Sequence, residues 1–225
     1  MLVNALSCSN NAGGSCCSPV DGLVLLVQRW YEGLGPENSF TMGGLWSNTC
    51  SGAPTPREGC DVARHYPNLD SILQKNQTLY NDMVKYWPSG HGPPIDAQYW
   101  THAWYTHGTC VTTLDPKCFS NPTEYQDVYG YFGAALQLCH DYDFYTMLSD
   151  ANITPGATYT LDQLESAIEA QVGFKPKISC KGSTLNEMSL FFKVVNGTQY
   201  IVTDRTLSST SCRGRNYINY PRKYS

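Results

Sequence analysis

Tyr99-Trp100-Thr101-His102-Ala103-Trp104-Tyr105-Thr106-His107-Gly108-Thr109-Cys110 is the stretch of this chain that says most about its fold and chemistry. Two histidines five residues apart are framed by aromatics and closed by Gly-Thr-Cys. Imidazole titrates near neutrality, so paired histidines suit a reaction in which one proton is taken and another given. On a helix His102 and Thr106 share a face, as do Ala103 and His107. Taken singly, either histidine is more often an ordinary polar residue, and Trp100 and Trp104 read as core. A second aromatic-framed segment, Phe40-Thr41-Met42-Gly43-Gly44-Leu45-Trp46, stands upstream.

The rest of the composition bounds the class. The 225 residues suit one domain, 1–225, with a buried core. Charged residues make up 15% and aromatics 12%, the profile of an ordered globular protein. A net charge of −4 supplies no long-range attraction for a polyanion, so any RNA site must work through local donors and stacking. Ten cysteines, with Cys16 and Cys17 adjacent and no C-x-x-C pair, point to disulfides and away from zinc. Asn-x-Ser/Thr triplets at Asn76, Asn152 and Asn196 agree with secretion, although Pro155 makes the second a poor acceptor. No basic, apolar leader follows Met1, so the chain reads as a mature form. The longest apolar run, residues 23–27, is too short to span a bilayer.

Along the chain, residues 1–21 read as a pinned loop and 22–30 as a buried strand. Loop follows at 33–36 and 51–60, and a helix over about 68–85 presents Leu69, Ile72, Leu73, Leu79, Tyr80, Met83 and Val84 on one face. Residues 90–94 read as loop, 99–110 as helix and 122–148 as helical. Thr160 and Gln163 form a capping box opening a helix that Gly173 ends. Strand signals follow at 175–180, 189–195 and 199–203, the last two joined by Asn196-Gly197, a hairpin turn. Helices and strands interleave without βαβ repeats, which predicts an α+β fold. The basic residues Arg213, Arg215, Arg222 and Lys223 read as a solvated terminus.

From residue 8 to 212 the chain resembles the ribonuclease T2 family, nearest to its fungal, Rhizopus-type members. The family's second active-site segment reads aromatic-Trp-x-His-Glu-Trp-x-Lys-His-Gly-Thr-Cys, and its first carries His-Gly-Leu-Trp. The resemblance implies a central antiparallel sheet packed with helices, stapled by Cys8–Cys50, Cys16–Cys118, Cys60–Cys110 and Cys180–Cys212. The fungal type pairs a further N-terminal cysteine with the one matching Cys17, but that position falls at Met1 here. Cys139 is also extra to the pattern. The two pair with each other, or both are free, or a partner lies outside this chain.

The family's reaction is transphosphorylation: the ribose 2′-OH attacks phosphorus and leaves a 2′,3′-cyclic phosphate. The resemblance assigns His107 as the base and His102 as an auxiliary phosphate-binding residue. It places Gly43 where the family has its acid histidine, and Ala103 and Thr106 where it has Glu and Lys. Trp46 matches the aromatic of the principal base site, while Asn48 and Pro54 replace its Asp and Tyr. Pro88, Ser89 and Tyr99 match a secondary base site. Among His65, His91 and His140, only His91 is placed to substitute for the acid. Departures spread over Gly43, Ser47, Asn48, Pro54, Ala103 and Thr106 do not look like one engineered change.

The expectation is therefore a secreted, monomeric ribonuclease T2-like protein with a degenerate site, inactive or severely impaired. It would act by binding single-stranded RNA, a nucleotide or a protein partner, with no cofactor, metal or membrane. The alternative is a residual endoribonuclease that uses His107.

Overall fold

A computed structural model describes residues 5–204, 210–213 and 216–224. Its strands are β1 (Leu23–Arg29), β2 (Thr41–Asn48), β3 (Ala157–Tyr159), β4 (Lys177–Lys181), β5 (Thr184–Val195), β6 (Gln199–Thr203) and β7 (Ile218–Tyr220). Its helices are α1 (Leu69–Gln74), α2 (Gln77–Tyr86), α3 (Pro93–Thr106), α4 (Gln126–Asp141), α5 (Phe144–Asp150) and α6 (Leu161–Val172). One sheet runs in the order β2-β1-β5-β7-β3, with β4 and β6 also paired to the long β5. The fold is α+β. The sheet is mixed rather than wholly antiparallel, because β7 meets β5 in parallel at Thr184 and Asn219.

β1 is apolar on both faces, which is why its run is unbroken. Val24 and Leu26 join the main core with Leu45, Leu190, Phe192 and, from α4, Val128 and Phe132. Leu23, Leu25 and Val27 point the other way and form a smaller cluster with Phe191, against which Trp46 packs. That second face carries the candidate site.

Local chemistry corrects several expected boundaries. The helix expected over 68–85 is two, because the Asn76 side chain caps α2 by accepting the Leu79 N–H at 3.2 Å. Val84 consequently lies outside the buried face, 41% exposed. The 122–148 segment likewise breaks before α5, where Asp143 accepts the amides of Tyr145 and Thr146. α3 starts at Pro93, inside the expected loop; proline suits a first helical turn because the N–H it lacks would have no partner there. Thr160 and Gln163 form the reciprocal capping box, and Gly173 ends α6 in the left-handed region. Asn196 and Gly197 both take positive φ, the two-residue turn that matches strand twist.

Four disulfides join Cys8 to Cys50, Cys16 to Cys118, Cys60 to Cys110 and Cys180 to Cys212. Cys17 and Cys139 are free, the first exposed and the second buried in the main core. Burial pushes the Cys139 thiol up to about 12, so it behaves as a small apolar residue.

One buried ion pair joins three segments. Arg64 Nε lies 3.0 Å from Asp127 Oδ2 of α4, with the two side chains 6% and 0% exposed. Arg64 Nη1 also donates to the Thr109 carbonyl, and the Arg64 carbonyl accepts Trp104 Nε1–H. Removing one partner of such a pair strands a buried charge. Asp127→Ala is therefore expected to cost about 3–5 kcal/mol of stability. The change is read as a lower urea midpoint, and an unchanged midpoint would contradict this role.

Candidate active site

α3 turns Trp100, Ala103 and Trp104 into the core, where each indole N–H finds a carbonyl: Trp100 that of Trp87, Trp104 that of Arg64. The opposite side of the helix leaves His102 exposed, with Nδ1 3.4 Å from Thr106 Oγ1 one turn on. His107 caps the helix, its N–H donating to the Ala103 carbonyl. The chain then tightens into a single turn, Gly108–Cys110. Glycine is required at 108, since a Cβ there would fall 2.2 Å from the Trp104 ring.

β2 brings the upstream segment against this turn. Ser47 Oγ donates to the His107 carbonyl at 3.2 Å, and Tyr131 on α4 donates to the Leu45 carbonyl. The Trp46 and His107 rings stack at 5.6 Å with 17° between their planes. Burial, and secondarily the nearby His102, pushes His107 down to about 4 from its ordinary 6.5. It is therefore neutral through most of the acid range. Its Nδ1 is enclosed and has no partner among the described residues.

Gly43 is the extra residue of a bulge: Val27 faces Gly44 and Gln28 faces Met42, with Gly43 between. A Cβ at Gly43 would lie 2.8 Å from Val27 Cγ1 and 3.2 Å from Arg29 Nε. Arg29 occupies the adjoining space. Its Nε donates to Glu187 at 3.1 Å and its Nη1 to Tyr99 Oη at 2.9 Å. Tyr99 in turn donates to the Gly43 carbonyl, and burial pushes its hydroxyl pKa upward, so it stays protonated. The Arg29 guanidinium lies 5.7 Å from the Trp46 ring centre.

His107, His102, Thr106, Trp46, Gly43 and Tyr99 thus converge, and neither Ala103 nor Thr106 brings a charge to them. Ala103 and Thr106 are both buried, 4% and 8% exposed. Asn48 is buried beside Pro54 across a backbone bridge, and its amide donates to the Gly52 carbonyl. Ser89 donates its N–H to the Asp96 carboxylate, one helical turn before Tyr99, and Pro88 precedes it half-buried. None of the three spare histidines interacts with Gly43 or His107. His65 stacks on Tyr105, His140 stands edge-on to Tyr86, and exposed His91 donates its backbone N–H to Ser89 Oγ.

Sequence reasoning missed Arg29 and Glu187. The parity of β1 places Arg29 on the face of Leu25 and Val27, but only strand pairing shows that Glu187 stands opposite. The basic terminus also needs correction. Lys223 is 4% exposed, with Nζ donating to the carbonyls of Leu34, Pro36 and Ser39, so it is a latch rather than a solvated charge. Arg213 and Arg222 are exposed, and Arg215 lies outside the described residues.

Protonating His107 is easier in the unfolded chain, so its contribution to stability is present above about 6.5 and is lost as pH falls toward 4. We expect its NMR titration midpoint near 4. Trp46→Ala, by admitting water, should move the midpoint up toward 6.5. A parent midpoint near 6.5 would show that the stacked ring is not desolvated.

Comparison with known proteins places this geometry. The model of the Ribonuclease T2 family matches residues 11–212. Ribonuclease Rh of Rhizopus niveus is 45% identical over 221 residues, spanning 97% of this chain and 91% of its own. The crystal structure of Actibind, a T2 ribonuclease, superposes with a TM-score of 0.91 at 35% identity, covering 99% of this chain and 97% of that one. RNase NT in complex with 5′-AMP shares the fold at a TM-score of 0.60 and 24% identity, over 89% of this chain and 98% of that one.

Proposed function

The chain belongs to the ribonuclease T2 family, and on that premise we propose that it is a binding protein on a catalytically degenerate scaffold. Gly43 carries this reading. At the position of the family's acid there is no side chain, and Arg29, tied to Glu187 and Tyr99, takes up the neighbouring space. A general acid contributes roughly 10²–10⁴ in rate. A donor that steadies transition-state charge contributes about 10²–10³, and Ala103 and Thr106 supply no charged one. These losses are not multiplicative, but the smaller figures already leave little turnover.

What remains suits binding. Trp46 and Tyr99 offer aromatic surface, which holds bases without regard to sequence. We propose RNA or a nucleotide as the ligand, held weakly, with a protein partner as the competing occupant of the scaffold. The ten cysteines, eight of them joined in disulfides, support a secreted protein.

One observation favours a second reading. A neutral His107 is in the right state to accept a proton, so residual cleavage to 2′,3′-cyclic phosphate would run through it.

Single-stranded RNA is expected to survive the parent protein at pH 4–8, a rough span covering histidine titration. Gly43→His/Ala103→Glu/Thr106→Lys should restore cleavage. Parent cleavage that disappears with His107→Ala would overturn the binding reading in favour of the residual enzyme.

A further inference from the structure

We infer that Arg29 is an anion-binding residue, and that it holds the phosphate of a bound nucleotide beside the position where the acid is missing. The inference rests on the nucleotide-binding reading above and names the group on which that binding depends.

Arg29 is prearranged. The β1–β5 register sets Glu187 directly across from it, and the Nε bond to that carboxylate fixes one edge of the guanidinium. Tyr99 accepts from Nη1 and is itself anchored on the Gly43 carbonyl, which fixes a second point. Among the described residues Nε and Nη1 have partners and Nη2 has none, and the side chain keeps 24% of its surface open. A planar fork with unused donors is matched to phosphate oxygens, and holding it in place beforehand lowers the entropy lost on binding.

The neighbouring groups leave this task to Arg29. Ala103 and Thr106 bring no charge, and the stacked His107 is neutral over most of the pH range. Arg29 is the permanent cation lying over Trp46, so a ligand joining a base to a phosphate meets an aromatic face and a guanidinium together. Glu187 opposes the anion, because the pair is neutral as a unit. Its presence predicts modest affinity that increases when its charge is removed.

The test is calorimetric titration of the full chain with adenosine 3′-monophosphate and, separately, with adenosine. The parent should bind the monophosphate about ten- to a hundredfold more tightly than the nucleoside, the range of a charge-assisted hydrogen-bonded contact. Arg29→Ala should erase that difference, Arg29→Lys should keep part of it, and Glu187→Gln should widen it. Urea midpoints for each variant guard against misfolding, and the two conservative changes keep the test decisive if Arg29→Ala does not fold. Equal binding of the two ligands by the parent, or an undiminished difference in the Arg29 variants, overturns the role of Arg29 while leaving nucleotide binding intact. Binding of neither ligand by the parent overturns the nucleotide reading and this inference with it.

Discussion

The buried Arg64–Asp127 ion pair is the constraint on which the site depends. Two charges removed from water are tolerable only when they meet each other and further partners. Here Tyr66 Oη donates to the Asp127 carboxylate, and Arg64 donates to the Thr109 carbonyl and lies over the Trp104 ring. The interaction fastens the loop before α1, the α4 helix and the turn after His107 into one unit. The Cys60–Cys110 disulfide crosses the same junction, and the Cys60 N–H donates to Thr109 Oγ1. The turn after His107 is consequently held by an ion pair, a disulfide and a hydrogen bond.

Two glycines show how one residue type carries opposite meanings in one site. Gly108 is demanded by packing: the backbone passes so close to Trp104 that no Cβ fits. Its place in His-Gly-Thr-Cys is therefore explained without reference to chemistry. Gly43 lies on a bulge, where an irregular ladder lets a strand aim a side chain into a site. The bulge persists although nothing projects from it. Its carbonyl instead anchors Tyr99, and through Tyr99 the Arg29 guanidinium. Beside Gly43 the site thus holds a permanent charge fixed by Glu187 and Tyr99.

The elements most legible in the sequence were those whose signals are local. The Thr160 capping box, the Asn196-Gly197 turn and the unbroken apolar run of β1 each involve only residues near one another, and each appears where expected. The helix breaks at Asn76 and Asp143 were obscured, because an apolar period can run on across a cap that restarts the helix. The short strands β3 and β7 carry no periodic signal in three residues each, and they exist only because they pair with one another and with β5. Lys223 looked like tail chemistry for the same reason. The three carbonyls that bind it lie nearly 190 residues away.

By itself the sequence determined the family, the α+β class and the two aromatic-framed segments, with the uncharged residues Gly43, Ala103 and Thr106 among them. Motifs and the residue types within them are properties of residues in order, so they need no coordinates. Tertiary structure alone decided that His107 is desolvated against Trp46, that Cys17 and Cys139 remain apart, and that Arg29 and Glu187 meet beside Gly43. Each of these is a contact between distant strands or helices. Register, burial and the resulting electrostatic environment arise only when the chain has closed on itself.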